Sequence, residues 1–318
     1  MGTLFLAESD VRQVLDMPSA IERVRECFRQ LAAGRAENVP RHRASAPGAV
    51  LHTMSAAAGY LGMLGWKCYL TTKRGAQFHF GLYEQATGQL VALIQADRLG
   101  QIRTGATTGV AVDHLAHQQV DEMGLIGTGW QAEAQLTAVA AVRRVHKAYV
   151  YSRDPERRRE FARQMQSKLA IEVAPVGQPH DAVEDLPVVI TATTSAQPVL
   201  DGRWLAEGSL LCAMGSNWLG RAEVDVEAVR RADRIVCDSV ECCRREAGDF
   251  TTAIELGVFD WSRAVELADV VAGRAMGQRN PAAVILFKSV GMALEDVAVA
   301  TLVYERAKAQ GLGRDVDL

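Results

Sequence analysis

From about residue 119 onward, short uninterrupted apolar runs alternate with charged segments of helical period. The runs fall at 148–151, 171–176, 188–193, 209–214 and 234–238. A parallel strand covered by helices on both faces needs continuous rather than alternating hydrophobicity. This stretch therefore predicts a doubly wound parallel α/β sheet. The N-terminal part has a different pattern. Helices are expected to start near Ser9 and Pro18, the second running to about Gly34, and strand-like segments follow at 50–54, 62–70 and 78–83. A final helical pattern, 294–309, stops at Gly311 and is expected to pack back on the N-terminal part. The predicted organisation is a discontinuous α+β domain, residues 1–118 and 297–318, around a Rossmann-type domain, residues 119–296.

The junction between the two patterns holds the most specific signal. The segment from Val120 to Leu136 reads as strand, glycine turn and helix start, with Gly127-Thr128-Gly129-Trp130-Gln131-Ala132 at its centre. Gly127 permits a tight turn, and Gly129 lets the backbone approach a pyrophosphate. Ala132 is small enough for helix to pack on strand. Phosphates would then meet free N–H groups at the positive end of a helix expected over 130–144.

After the next strand, where NAD-binding sites of this kind place an acidic residue for the ribose hydroxyls, the chain has Ser152-Arg153-Asp154. Ser152 and the guanidinium fork of Arg153 suit a 2′-phosphate, so NADP(H) is expected in preference to NAD(H), which remains possible. Asp154, turned inward, would reverse that preference.

Composition narrows the function classes. Thirty-five basic and 38 acidic residues give a net charge of −3, which provides no broad basic surface for nucleic acid. The run Arg157-Arg158-Arg159 lies beside Glu156 and Glu160 and reads as a solvated helix face. No apolar stretch is long enough to span a membrane, and the first residues do not resemble a signal peptide. The six cysteines have no Cys-x-x-Cys spacing, so buried thiols in a reducing cytoplasm are expected. His114 and His117 are three apart but have no third ligand at a suitable spacing, and no metal site is expected. No Gly-x-Ser-x-Gly elbow occurs.

Cations in apolar surroundings are the remaining candidates for chemistry. Lys67 interrupts Leu64-Gly65-Trp66-Lys67-Cys68-Tyr69-Leu70, and a charge inside such a strand must be solvated, paired or used. Arg103 stands among small residues at an expected helix start, where a fork could grip a carboxylate. Arg41 and Arg43 flank His42 after Pro40. Either could complete a clamp or lie in a solvated loop.

With these residues assembled, the chain resembles the ornithine cyclodeaminase and mu-crystallin family along nearly its whole length. The resemblance rests on Lys67, Gln101-Ile102-Arg103-Thr104-Gly105-Ala106, the glycine turn, Thr191-Ala192-Thr193-Thr194-Ser195, Met214-Gly215-Ser216-Asn217 with Arg221-Ala222-Glu223-Val224-Asp225, and Phe287-Lys288-Ser289-Val290-Gly291. It implies a homodimer formed through the sheet of the discontinuous domain. It further implies that Arg41, or Arg43 in its place, joins Lys67 and Arg103 on the substrate, that Thr193 and Ser289 line the nicotinamide, that Met214 belongs to the cofactor-binding residues, and that the backbone at Trp130 and Gln131 meets the pyrophosphate.

Where the cyclodeaminase and the related alanine dehydrogenase are expected to carry an acid, this chain has Asn217, which cannot shuttle a proton. The expected activity is therefore NAD(P)H-dependent reduction of a cyclic ketimine carboxylate, such as Δ1-pyrroline-2-carboxylate or its six-membered homologue, to a cyclic amino acid. Ornithine cyclodeamination, amino acid dehydrogenation, N-substituted amino acid synthesis and a non-catalytic crystallin-like role are the alternatives.

Overall fold

A computed structural model describes residues 2–275 and 280–317. The chain opens with β1 (Thr3–Leu6), α1 (Glu8–Val14), α2 (Met17–Ala32), β2 (Glu37–Ala46), β3 (Ala49–Ala58), β4 (Met63–Thr72), β5 (Gly75–Glu84), β6 (Leu90–Gln95) and α3 (Asp97–Leu115). It continues with β7 (Glu122–Ile126), α4 (Trp130–Val142), β8 (Lys147–Tyr151), α5 (Pro155–Leu169), β9 (Glu172–Pro175), β10 (Val188–Thr191) and β11 (Leu210–Ala213). Then come α6 (Val226–Arg231), β12 (Arg234–Cys237), α7 (Val240–Glu246), α8 (Thr251–Glu255), β13 (Ala264–Glu266), α9 (Leu267–Val271), β14 (Ile285–Lys288), α10 (Ala293–Gln310) and β15 (Arg314–Val316). Two compact units result: Met1–Thr107 with Met292–Leu318, and Thr108–Gly291. The expected divide at 296/297 falls inside α10. Helical periodicity gives no cue to a boundary that lies at the helix start.

The first unit is built on a seven-stranded sheet of order β15-β1-β6-β5-β4-β3-β2, antiparallel except where β1 meets β6. Helix α2 begins behind Asp16, whose carboxylate accepts from Ser19 N, with Pro18 in the first turn, where its missing N–H costs nothing. Helix α10 packs on α2, β3 and β4. It is buried from Ala293 through Val303 and ends at Gly311 in the left-handed conformation (φ +67°). Residues 40–43, whose sequence also fits a solvated loop, lie in β2, which carries a register irregularity between Val39 and His42. Proline and two arginines hid this strand, as Pro is tolerated at edges and bulges.

The second unit is an eight-stranded sheet of order β13-β12-β14-β11-β10-β7-β8-β9. Every pairing in it is parallel. Strands β10, β11 and β14 are buried at every position, as their continuous apolar runs require. The order reverses between β7 and β10, and in open parallel sheets ligands bind beyond the carboxyl ends of the strands at such a switch point.

Candidate functional site

In the second unit the residues expected to hold a cofactor follow the carboxyl ends of neighbouring strands: Gly127 and Gly129 after β7, Ser152 and Arg153 after β8, Thr193 after β10, Met214 after β11 and Ser289 after β14. Gly127 adopts φ +124°, and a Cβ there would collide with Ala192 O. Only glycine allows both the turn and this contact. Gly129 is the N-cap of α4, contributes no side-chain cap, and has no atom within 4 Å of the place its Cβ would occupy. Trp130 is 48% exposed at the first helical position, Ala132 is fully buried, and Gln131 Oε1 is buried without a partner. An uncapped helix start, open space at the glycine and an orphaned polar atom beside it fit a dinucleotide phosphate cradle.

The end of β8 departs from expectation in one respect. Ser152 Oγ accepts from Thr128 Oγ1 (3.1 Å) and donates to Asp154 O (3.3 Å), so its hydrogen is already committed. Asp154 does not turn inward. Its carboxylate caps α5, accepting from Glu156 N and Arg157 N. Arg153 is exposed, whereas Arg158 turns from the basic run onto the Tyr151 ring and donates to Ser152 O. His114 and His117 both meet backbone oxygens, Val110 O and Pro281 O.

Beneath the residues expected to hold the cofactor lies a buried charged network that the sequence pattern did not reveal. Glu223, wholly buried, accepts from Thr191 Oγ1 (3.1 Å), Thr193 N (2.6 Å), Thr193 Oγ1 (2.7 Å) and Gly215 N (2.5 Å). Its own N–H donates to Asp249 Oδ1 (2.6 Å). The other oxygen of Asp249 pairs with Lys288 Nζ (2.7 Å), which also donates to Ser216 O (2.7 Å). Burial works against the charge on Lys288, but Asp249 and Glu223 outweigh it and its pKa ends raised. A second buried acid, Asp238, accepts from Ser289 Oγ, Val290 N and Gly291 N. Met214 is buried and Asn217 half-buried on the turn that Gly215 and Ser216 anchor.

In the first unit Lys67 lies on the inward face of β4, 2% exposed, with Nζ 2.9 Å from Asp296 Oδ1. The same oxygen accepts from Arg103 Nε at 3.0 Å, while Arg103 Nη1 meets Glu295 Oε2 at 2.9 Å. Both acids open α10, where the helix dipole favours negative charge. A Cβ on Gly100, one turn before Arg103 in α3, would lie 3.1 Å from Lys67 Nζ, so the glycine makes room for the ammonium. Burial pulls Lys67 down to a pKa of about 8 against the raising effect of Asp296, with Arg103 and Arg41 adding to the fall.

Arg103 is not at a helix start. It lies in the second turn of α3, whose first N–H groups, at Asp97 and Arg98, donate to Glu8. That terminus is therefore occupied, and the pull on an anion comes from the side chains. Arg41 is buried, 7% exposed, on β2, whereas Arg43 is half-buried. His52, stacked on Tyr69 at 4.3 Å, has its pKa lowered to about 4 by burial and then by Arg43 and Arg41, so it is neutral at physiological pH.

The ornithine cyclodeaminase/mu-crystallin family profile matches residues 1–311. Δ1-Pyrroline-2-carboxylate reductase of Bacillus cereus is 33% identical over 231 residues, covering 72% of this chain and 71% of the relative. The structure of Thermococcus litoralis Δ1-pyrroline-2-carboxylate reductase in complex with NADH and L-proline superposes with a TM-score of 0.95 at 34% identity, covering 99% of this chain and all of the other. An archaeal alanine dehydrogenase dimer with bound NAD gives 0.94 at 28% identity, with both chains fully covered. On the family match along nearly the whole chain, and on the fold it shares with these structures, the chain belongs to the ornithine cyclodeaminase/mu-crystallin family.

Proposed function

We propose that this protein is an NAD(P)H-dependent oxidoreductase that reduces the C=N bond of a cyclic ketimine carboxylate of the Δ1-pyrroline-2-carboxylate type. The observation that carries this reading is the buried pair Lys67 and Arg103 anchored on one oxygen of Asp296, in a chain that also has a dinucleotide turn. Two buried cations without a ligand role would be an expensive way to stabilise a sheet. The nicotinamide, when bound, supplies a hydride to the imine carbon.

The chain's own side chains do the rest. Arg103 has its Nε and one Nη1 hydrogen engaged by Asp296 and Glu295, and its Nη2 end is assigned to the substrate carboxylate; the buried Arg41 on β2 is the second cation assigned to that carboxylate. Lys67 keeps donors beyond the one that Asp296 takes. It supplies the proton to the nitrogen as the C=N electrons move there. Asn217 has no titrating group, which favours reduction of a preformed imine over deamination. Lysine and arginines hold and protonate the anion in the first unit, and the second unit carries the cofactor.

The cofactor preference proposed is NADP(H) over NAD(H), resting on the exposed Arg153 and on Asp154 being held at the cap of α5. Ser152 contributes less than its position suggested, because its hydrogen is committed. We also propose a homodimer. The outer face of the first sheet exposes Leu51, Leu64, Leu70 and Tyr83, an apolar patch of the kind that partners cover. The six free thiols, five of them buried, suit the cytoplasm. Among the described residues no helix is long and apolar enough to cross a membrane.

The test is a comparison of turnover with Δ1-pyrroline-2-carboxylate, its six-membered homologue and L-ornithine, with both nicotinamides. Imine reduction is expected to dominate. Robust ammonia and proline from ornithine would overturn the assignment.

A further inference from the structure

We propose that Glu223 is a positioning residue that fixes the hydrogen-bond polarity of Thr193, making its hydroxyl an acceptor for the amide N–H of the nicotinamide carboxamide. The inference rests on the dinucleotide reading of the second unit and extends it to a residue with no assigned role. Four donors converge on the two Glu223 oxygens, two of them backbone N–H groups that can only donate. Burial raises the Glu223 pKa, opposed by Lys288 and by the Thr193 hydrogen bonds; as the carboxylate, Glu223 accepts throughout, and the Thr193 hydrogen points to it. Thr193 Oγ1 also accepts from Ser195 N at 3.1 Å. One lone pair remains for a ligand, and it can only accept.

Glu223 also ties two strand ends together. It holds the turn after β10 through Thr193 N and the turn after β11 through Gly215 N, and a Cβ on Gly215 would collide with Thr193 O and with Glu223 itself. Through Asp249 and Lys288 the network reaches Ser216 and the end of β14. The residues expected around the nicotinamide thus share one buried anchor. In Glu223→Gln the side-chain amide has a single acceptor oxygen, so its NH2 must face one of the two backbone donors and one turn is released.

The test is calorimetric titration with NAD+ and with its 3-acetylpyridine analogue, in which a methyl group replaces the carboxamide NH2. ADP-ribose serves as a control for the adenosine half. Wild type is expected to bind NAD+ roughly five- to tenfold more tightly than the analogue, the size of one hydrogen bond. Thr193→Val and Glu223→Gln should each reduce that ratio to near unity while ADP-ribose affinity stays unchanged. A ratio near unity in wild type, or one that survives in Thr193→Val, overturns the proposal and leaves the dinucleotide reading standing. If Glu223→Gln alone keeps the wild-type ratio, the positioning role of Glu223 is overturned. Failure of wild type to bind NAD+ or ADP-ribose at all would instead overturn the dinucleotide reading and the proposal with it. Thr193→Val, which retains the β-branched shape, keeps the test intact should Glu223→Gln fail to fold.

Discussion

Lys67 is a buried cation tuned by its neighbours. Its lowered pKa of about 8 arises from burial, opposed by Asp296, so its proton is lost as pH rises through that value. Imine reduction is expected to fall above about pH 8 if Lys67 is the proton donor. Removing the Asp296 charge removes the raising influence, so in Asp296→Asn the fall should move to lower pH. A pH profile of kcat/KM checks this, and an unchanged profile would show that Lys67 does not supply the proton. The same variant leaves two buried cations short of an anion and should lose about 3 kcal/mol of stability, measurable by urea unfolding.

Arg153 allows a second test at this scale. Arg153→Asp should shift preference from NADPH toward NADH by repelling a 2′-phosphate, and an unchanged ratio of kcat/KM values would refute that role. Lys67 and Arg103 were legible because cations inside apolar or small-residue sequence stand out. Asp296, Glu295 and Glu223 were not, because an acid in a helix start or a polar turn looks in sequence like a solvated surface residue. Only the fold reveals that each faces a buried donor.

At the scale of elements, the strand and glycine-turn signals carried most of the information. Gly127 was legible because a turn with positive φ demands glycine, and β10 and β11 because parallel strands are apolar throughout. Strand β2 was not, since Pro40 and two arginines mimic a loop. Strand β6 was not assigned, although its sequence is apolar and Gly88, at φ +69°, marks a turn just before it. The helix start assigned to Arg103 belonged to Asp97, where Glu8, far away in sequence, supplies the cap.

Helix α3 also offers a clean element-scale test. Gly100→Ala should favour the helix by up to ~1 kcal/mol while crowding Lys67 Nζ, whose place Asp296 fixes. The melting temperature should hold or rise while kcat drops roughly tenfold. A variant with unchanged kcat would indicate that the exact position of the ammonium is unimportant.

At the scale of the molecule, the discontinuous first unit explains why distant segments meet. The C-terminal helix returns Glu295 and Asp296 to cations set on β4 and α3, a pairing that no local pattern could announce. The uncovered sheet face carries the oligomer prediction. Wild type should sediment at twice the 34.5 kDa chain mass, and Leu70→Asp, which puts a charge on that face, should yield monomer. A wild-type monomer would remove the proposed interface.

The most direct test of the central claim is the stoichiometry of a single reaction: wild-type protein, Δ1-pyrroline-2-carboxylate and reduced nicotinamide, with proline and ammonia quantified alongside cofactor oxidation. Proline formed in equimolar amount to cofactor oxidised, without ammonia, and lost in Lys67→Ala although NAD(P)H still binds, is the predicted result. No cofactor oxidation with the imine, or full activity in Lys67→Ala, would contradict it.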